Sequence, residues 1–146
     1  MICTFTGHRK INEEIKPLLK RILIDLIETR QVNLFYVGNH GAFDRLVRNT
    51  LIELKKIYSH IDYAVILAYP PGKRNEFDMK EYTDTLYPEG MEDVPLRFAI
   101  IKRNQWMIKQ SDYVVAYVIH SFGGASKSIE YAEKLDKKII NLAEEI

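Results

Sequence analysis

The chain lacks the cysteine pairs, the long apolar runs and the N-terminal signal that are typical of disulfide-rich, membrane and secreted proteins. Its single cysteine, Cys3, cannot form an internal disulfide, and the apolar residues around it predict a buried structural thiol. No apolar run approaches the roughly 18 residues that a membrane helix needs. The start of the chain lacks the basic region and long apolar segment of a signal peptide. We therefore expect a cytoplasmic protein without a membrane segment.

An excess of charge of one sign is also missing. Lysine and arginine together number 21, aspartate and glutamate 20, and the formal net charge is +1. This balance argues against nucleic acid as a partner, although a local basic patch would escape such a count. The sequence also shows no basic groove interleaved with aromatic residues, which is typical of single-strand binders.

What the chain does have is an alternation of apolar runs of strand length with stretches of helical periodicity. The predicted strands cover residues 2–6, 33–38, 63–69, 112–119 and 138–142. The predicted helices run from about 14 to 27, 43 to 58, 95 to 110 and 125 to 136, with Pro17 in the first turn of the first helix. Strands that are apolar throughout, rather than at every second residue, indicate a parallel sheet covered on both faces.

These elements predict an α/β fold, a Rossmann-like three-layer sandwich with about five parallel strands in the order 3-2-1-4-5. The length of 146 residues predicts one domain spanning residues 1–146. The irregular segment at about 70–94 is too long for an ordinary connection. It could be a lid, a small insert with a short helix, or a dimerisation arm, and its aromatics Phe77, Tyr82 and Tyr87 suggest that it packs on something.

Three glycine-containing loops follow the first, second and fourth predicted strands: "TGHRK", "GNHGAFD" and "HSFGGAS". Ligands of open parallel sheets bind beyond the carboxyl ends of the strands, where the strand order reverses. We therefore expect the ligand-binding residues in and just after these loops. They are Gly7, His8, Arg9, Gly38, Asn39, Gly41, Asp44, Gly123, Gly124, Ser126 and Lys127, with Arg103 from the third helix.

The chemistry of these residues leaves alternatives open. "SFGGASKS" could hold a phosphate at a helix N-terminus or be a turn that needs glycine for steric reasons. Arg103 falls in the apolar stripe of its helix. It could clamp a ligand phosphate, pair internally with Asp44 or Glu130, or extend its guanidinium to the surface. His8 could be a general base, a ribose contact or a capping residue. Asp44 could contact ribose hydroxyls or cap its helix. The histidines lack metal-ligand spacing, so we predict no metal.

The loops and the segment "RNQWMIKQSDYVVAYVIHSFGGASKSIEYA" resemble the SLOG superfamily of Rossmann-like domains, which includes the Lonely Guy phosphoribohydrolases and the Smf/DprA proteins. "TGHR", "GNHGAFD" and "GGASKSIEYA", in this order, look most like the YpsA-like branch. Arg103 and Met107 match an Arg-Lys-x-x-Met segment of the Lonely Guy enzymes. Gly123, Gly124 and Glu130 match their Pro-Gly-Gly-x-Gly-Thr-x-x-Glu segment.

The resemblance implies that Arg103 and Glu130 lie near a phosphoribosyl site, where that family cleaves an N-glycosidic bond. Phe122, Ser126 and Lys127 depart from the segment, since they stand where it has proline, its third glycine and threonine. These departures put catalysis in doubt more than nucleotide binding, and whether the protein is an enzyme stays open.

The function we expect first is that of a sensor or regulatory module that binds a small nucleotide-derived molecule, such as a nucleoside monophosphate, ADP-ribose or an NAD-related ligand. The alternative is an N-glycosidic phosphoribohydrolase or transferase acting on nucleoside monophosphates, with Glu130 and Arg103 as its catalytic residues. A second alternative is a protein-interaction module or, by analogy with Smf/DprA, a single-stranded-DNA-binding module. No cofactor is required, and the resemblance adds a homodimer as an expectation.

Overall fold

Six parallel strands and four α-helices form the described part of the chain. The computed structural model describes residues 1–71 and 84–145. The strands are β1 (Ile2–Gly7), β2 (Leu34–Val37), β3 (Asp62–Ile66), β4 (Thr85–Leu86), β5 (Tyr113–Tyr117) and β6 (Lys138–Asn141). The helices are α1 (Lys16–Thr29), α2 (Ala42–Ile57), α3 (Ala99–Gln110) and α4 (Gly124–Lys134). None of the described helices is long and apolar enough to cross a membrane.

The strand order is β4-β3-β2-β1-β5-β6. The five strands predicted from the sequence therefore lie in the predicted relative order, but the sheet has one strand more than expected. This sixth strand, β4, lies at the edge and pairs with β3. It contains two residues, too few to carry a recognisable strand pattern. Because β1 lies between β2 and β5, the strand order reverses beside β1, as predicted.

Helices cover both faces of the sheet, which explains why its strands are apolar throughout. On one face, Val115 of β5 belongs to a core cluster with Leu23 of α1 and Leu51 of α2. On the other face, Val114 clusters with Ile108 of α3 and Ala132 of α4. This arrangement confirms the predicted three-layer sandwich.

The first helix begins in the way that its sequence predicts. Asn12 caps a short 3₁₀ turn, Glu13–Ile15, by accepting a hydrogen bond from the backbone N–H of Glu14 at 3.0 Å. Regular helix follows from Lys16, with Pro17 in the first turn. Proline is tolerated there because the first N–H groups of a helix have no carbonyl partner within it.

Part of the irregular segment at 70–94 belongs to the sheet and its covering. It supplies β4, and Met91 is buried in a small apolar cluster beside α3. Tyr87 is half-buried against the core, which confirms that this aromatic packs on something. Phe77, Tyr82 and the centre of the predicted lid lie outside the described residues.

Candidate functional site

A pocket of about 200 Å³ lies at the carboxyl ends of the central strands, between the loops after β1, β2 and β5. Six of the predicted binding residues line it: Gly7, His8, Arg9, Asp44, Arg103 and Gly124. His40 and Asn104, which the predicted set did not include, also line it. The pocket is thus found at the topological switch point that the strand order predicted.

The other predicted site residues lie around or away from this pocket. Gly38 and Asn39 are buried behind it, and Gly41 is the residue before α2, with a φ of 93°. In α4, Ser126 is buried, whereas Lys127 and Glu130 are exposed. None of these α4 residues is among the described residues that line the pocket. The predicted catalytic pair, Arg103 and Glu130, is therefore not brought together there.

Arg103 is almost fully buried, with 1% of its surface exposed. Its Nη1 donates to the Asn39 Oδ1 at 3.1 Å and to the carbonyl of Ile66 at 2.9 Å. Its Nε donates to the Asn104 Oδ1 at 2.7 Å. These acceptors lie just beyond β2, at the end of β3 and on α3 itself. The hydrogen bonds of the guanidinium therefore connect α3 to the carboxyl edge of the sheet.

Asp44 lies in the first turn of α2 and binds the loop that precedes the helix. Its Oδ2 accepts a hydrogen bond from the backbone N–H of His40 at 3.1 Å. A Cβ atom placed on Gly38 would lie 2.6 Å from the same oxygen and 3.0 Å from the Cζ of Arg103. The carboxylate and the guanidinium therefore both lie against Gly38. This geometry matches the internal role for Arg103, whereas Asp44 bonds to the loop before α2 and makes no side-chain cap on the helix.

His8 fixes the loop that follows β5. Its Nε2 accepts a hydrogen bond from the backbone N–H of Ile119 at 2.9 Å. Partial burial, and to a smaller degree the neighbouring His120, lower the pKa of His8 below its ordinary value. Because Nε2 accepts this hydrogen bond, it carries no proton, and the neutral ring has its proton on Nδ1.

A series of aromatic rings leads outward from His8. The His8 and His120 ring centroids lie 4.8 Å apart. His120 in turn stacks on Phe122, with centroids 5.1 Å apart and ring planes at 20°. Phe122 is 72% exposed, although it is a large apolar side chain. We call His120 and Phe122 the ring pair; it presents an aromatic surface to solvent.

The ring pair lies directly before the N-terminus of α4. Gly123 has a φ of 96°, a backbone conformation that other residues rarely adopt. A Cβ built on Gly123 or on Gly124 would meet no atom within 4 Å, so the backbone here is open to a ligand. The first helical hydrogen bond runs from the Lys127 N–H to the Gly123 carbonyl at 3.1 Å. The N–H groups before Lys127 therefore have no acceptor within the helix.

Sequence reasoning selected the loops correctly but missed the ring pair. In the sequence Phe122 stands out only as a departure from a motif, although an aromatic residue beside two glycines is itself a signal. His8 contacts Ile119, which lies 111 positions further along the chain. It also contacts His120, 112 positions away. Spacing along the chain could not reveal those contacts. The described residues contain no group of three or more side chains suited to a metal.

No family model matches the chain, and no curated protein matches it in sequence. Among solved structures, it is similar to DNA processing protein A from Helicobacter pylori. The TM-score is 0.67 at 14% identity, over 95% of this chain and 63% of that one. It is also similar to DNA processing protein A from Streptococcus pneumoniae. Here the TM-score is 0.68 at 14% identity, over 94% of this chain and 48% of that one. The chain therefore spans about half to two thirds of these neighbours.

At this identity the likeness shows a shared fold. The chain is a Rossmann-like α/β domain that shares its fold with part of DNA processing protein A, and this is the fold that the resemblance implied. The SLOG superfamily and its YpsA-like branch stay predictions.

These neighbours contradict two expectations. The sensor of a small nucleotide-derived ligand finds no support among them, and the argument against nucleic acid as a partner is wrong. The Helicobacter pylori protein is described by its mode of binding single-stranded DNA. Net charge averages over the whole chain, whereas the contacts of a binding surface depend on local charges.

Proposed function

We propose that this domain binds single-stranded DNA along the carboxyl edge of its sheet. The observation that carries the proposal is the exposed ring pair, His120 and Phe122, next to the open N-terminus of α4. Single-stranded nucleic acid is bound by aromatic rings that stack on bases together with groups that contact the backbone phosphates. At the carboxyl edge of the sheet, the ring pair would stack on bases and the neighbouring N-terminus of α4 would contact phosphates.

Base stacking is the contribution that Phe122 would make. Its ring is held nearly parallel to His120 and is largely exposed, so a base can cover its free face without displacing protein atoms. Stacking of this kind contributes about 1–3 kcal/mol per base and tolerates any sequence. In a duplex the bases already stack on each other, so the ring pair favours unpaired bases.

Phosphate binding is the contribution of the α4 N-terminus. The backbone N–H groups before Lys127 point out of the helix end, and the helix dipole favours an anion there. Arg9, which lines the pocket, and Lys127, in the first turn of α4, are both exposed and add positive charge. A near-zero net charge is compatible with this arrangement, because only the local charges lie close to the phosphates.

Replacing the exposed phenylalanine tests the proposal directly. Phe122→Ala should weaken binding of a fluorescently labelled oligothymidine by roughly 5-fold to 150-fold, the equivalent of losing one stacked base. Fluorescence anisotropy at fixed ionic strength gives the dissociation constants. The melting temperature should stay that of the wild type, because the ring is largely exposed.

The matched control is Ile57→Ala. Ile57 is 65% exposed but lies at the C-terminal end of α2, which runs back from the carboxyl edge to the opposite edge of the sheet. This variant should bind the oligonucleotide as the wild type does. Equal affinities for the wild type and Phe122→Ala would remove the ring pair from the binding surface, and no binding by the wild type would refute the function itself.

A further inference from the structure

Two side chains hold the loop that carries the ring pair. Asn141 of β6 fastens Val118, because its Oδ1 accepts from the Val118 N–H at 3.1 Å and its Nδ2 donates to the Val118 carbonyl at 2.9 Å. His8 fastens the next residue by accepting from the Ile119 N–H at 2.9 Å. Beyond Ile119 the chain passes through the ring pair into α4. The amide of Asn141 does not titrate, whereas the imidazole of His8 does.

The protonation state of His8 decides whether its hydrogen bond exists. A backbone N–H can only donate, so Nε2 must carry no proton. Protonation of the imidazole would place a second donor opposite the Ile119 N–H and break the bond. It would also place a positive charge against the ring of His120, 4.8 Å away between centroids.

Several titratable or charged groups face His8 from the elements around it. Tyr117 of β5 meets it edge-on with centroids 6.2 Å apart, and His120 lies over it from the loop. The pocket lining that includes His8 also contains Arg9, His40, Asp44 and Arg103. Asp44 is the one carboxylate in this set.

Burial and His120 together lower the pKa of His8, so its bond is fully present above the ordinary histidine value of 6.5 and is lost as the pH falls.

We propose that His8 is a positioning residue for DNA binding: its neutral ring holds Ile119 and the ring pair in place, and its protonation releases them, so that affinity for single-stranded DNA falls in acid. This inference rests on the proposed function. Its direction is diagnostic, because histidines that contacted phosphates directly would gain charge in acid and strengthen binding.

The test compares affinities for a labelled oligothymidine at pH 7.5 and 5.5 and constant ionic strength. The wild type should bind more weakly at the lower pH, by at most about fivefold, which is the effect of one hydrogen bond lost completely. In His8→Gln the side-chain amide can accept from Ile119 but does not titrate. This variant should bind more weakly than the wild type at pH 7.5, since the ring contact is lost, and its affinity should not change with pH.

His60→Gln is the control, because His60 is exposed just beyond the C-terminus of α2, away from the loop. It should keep the wild-type pH profile. Stronger wild-type binding in acid, or an unchanged acid effect in His8→Gln, would overturn the role of His8 while leaving DNA binding intact. Binding by no variant at either pH would instead refute the proposed function.

The free protein gives a second measurement that needs no DNA. Nitrogen-15 NMR of the imidazole at pH 7.5 should show the proton of His8 on Nδ1, and acidification should shift the Ile119 amide more than the Val118 amide. A proton on Nε2 at pH 7.5 would refute the hydrogen bond on which the inference depends.

Discussion

Gly7, at the end of β1, shows how tightly a single residue can be constrained beside the pocket. A Cβ atom there would lie 2.3 Å from the Cδ2 of Phe43, and Phe43 is 1% exposed. Neither the strand end nor the buried ring has room to move apart. The glycine in "TGHR" is therefore explained by close packing as well as by access to a ligand.

Gly7→Ala should lower the free energy of unfolding by about 1–3 kcal/mol, because the added methyl group overlaps the ring of Phe43. Urea unfolding followed by circular dichroism measures the change. Gly124→Ala is the matched control, since a Cβ there meets open space at the start of a helix, and its stability should match or slightly exceed that of the wild type. Equal stabilities of Gly7→Ala and the wild type would show that the two segments are not packed as described.

Cys3 is another residue whose environment the sequence predicted. It is fully buried in the core beneath α1 and α2, and burial raises the pKa of its thiol. This confirms the predicted structural thiol, because an apolar neighbourhood along the chain is a good guide to burial in a central strand.

At the scale of elements, the sequence predicted each long strand and each α-helix of the described residues, with shifts of a few residues at their ends. The third helix illustrates such a shift: regular helix begins at Ala99, after the 3₁₀ turn Leu96–Phe98, rather than at Pro95. The short edge strand β4 was missed because its pairing with β3 depends on a contact between distant segments. Periodicity reports local preference, whereas edge pairing is decided by tertiary contacts.

The position of α3 depends on Arg103, so Arg103→Ala should destabilise the fold by about 2–5 kcal/mol. The truncation leaves a cavity and removes the donors to Asn39 and Ile66, both at or beyond strand ends in the buried edge. Lys102→Ala, an exposed change on the same helix, should alter stability by less than about 0.5 kcal/mol. The two free energies of unfolding come from urea titrations. Similar values for both variants would contradict the fastening role of Arg103.

At the scale of the whole molecule, topology was the most useful prediction from the sequence. The pocket lies where the predicted strand order indicated. Half of the predicted binding residues line it, and Glu130 does not. Composition was the least useful guide to the site, because a net charge of +1 gives no information on where exposed rings and cations lie on the surface. The contact of His8 with the loop after β5 required the fold itself, since parallel strands bring the ends of distant segments to one edge.

The measurement that most directly tests the account is an NMR titration of the nitrogen-15-labelled domain with an oligothymidine. If single-stranded DNA binds at the carboxyl edge, the amides of residues 7–9 and 119–127 should shift, and those near Ile57 at the opposite edge should stay in place. Shifts concentrated near Ile57, or no shifts at saturating DNA, would contradict the account.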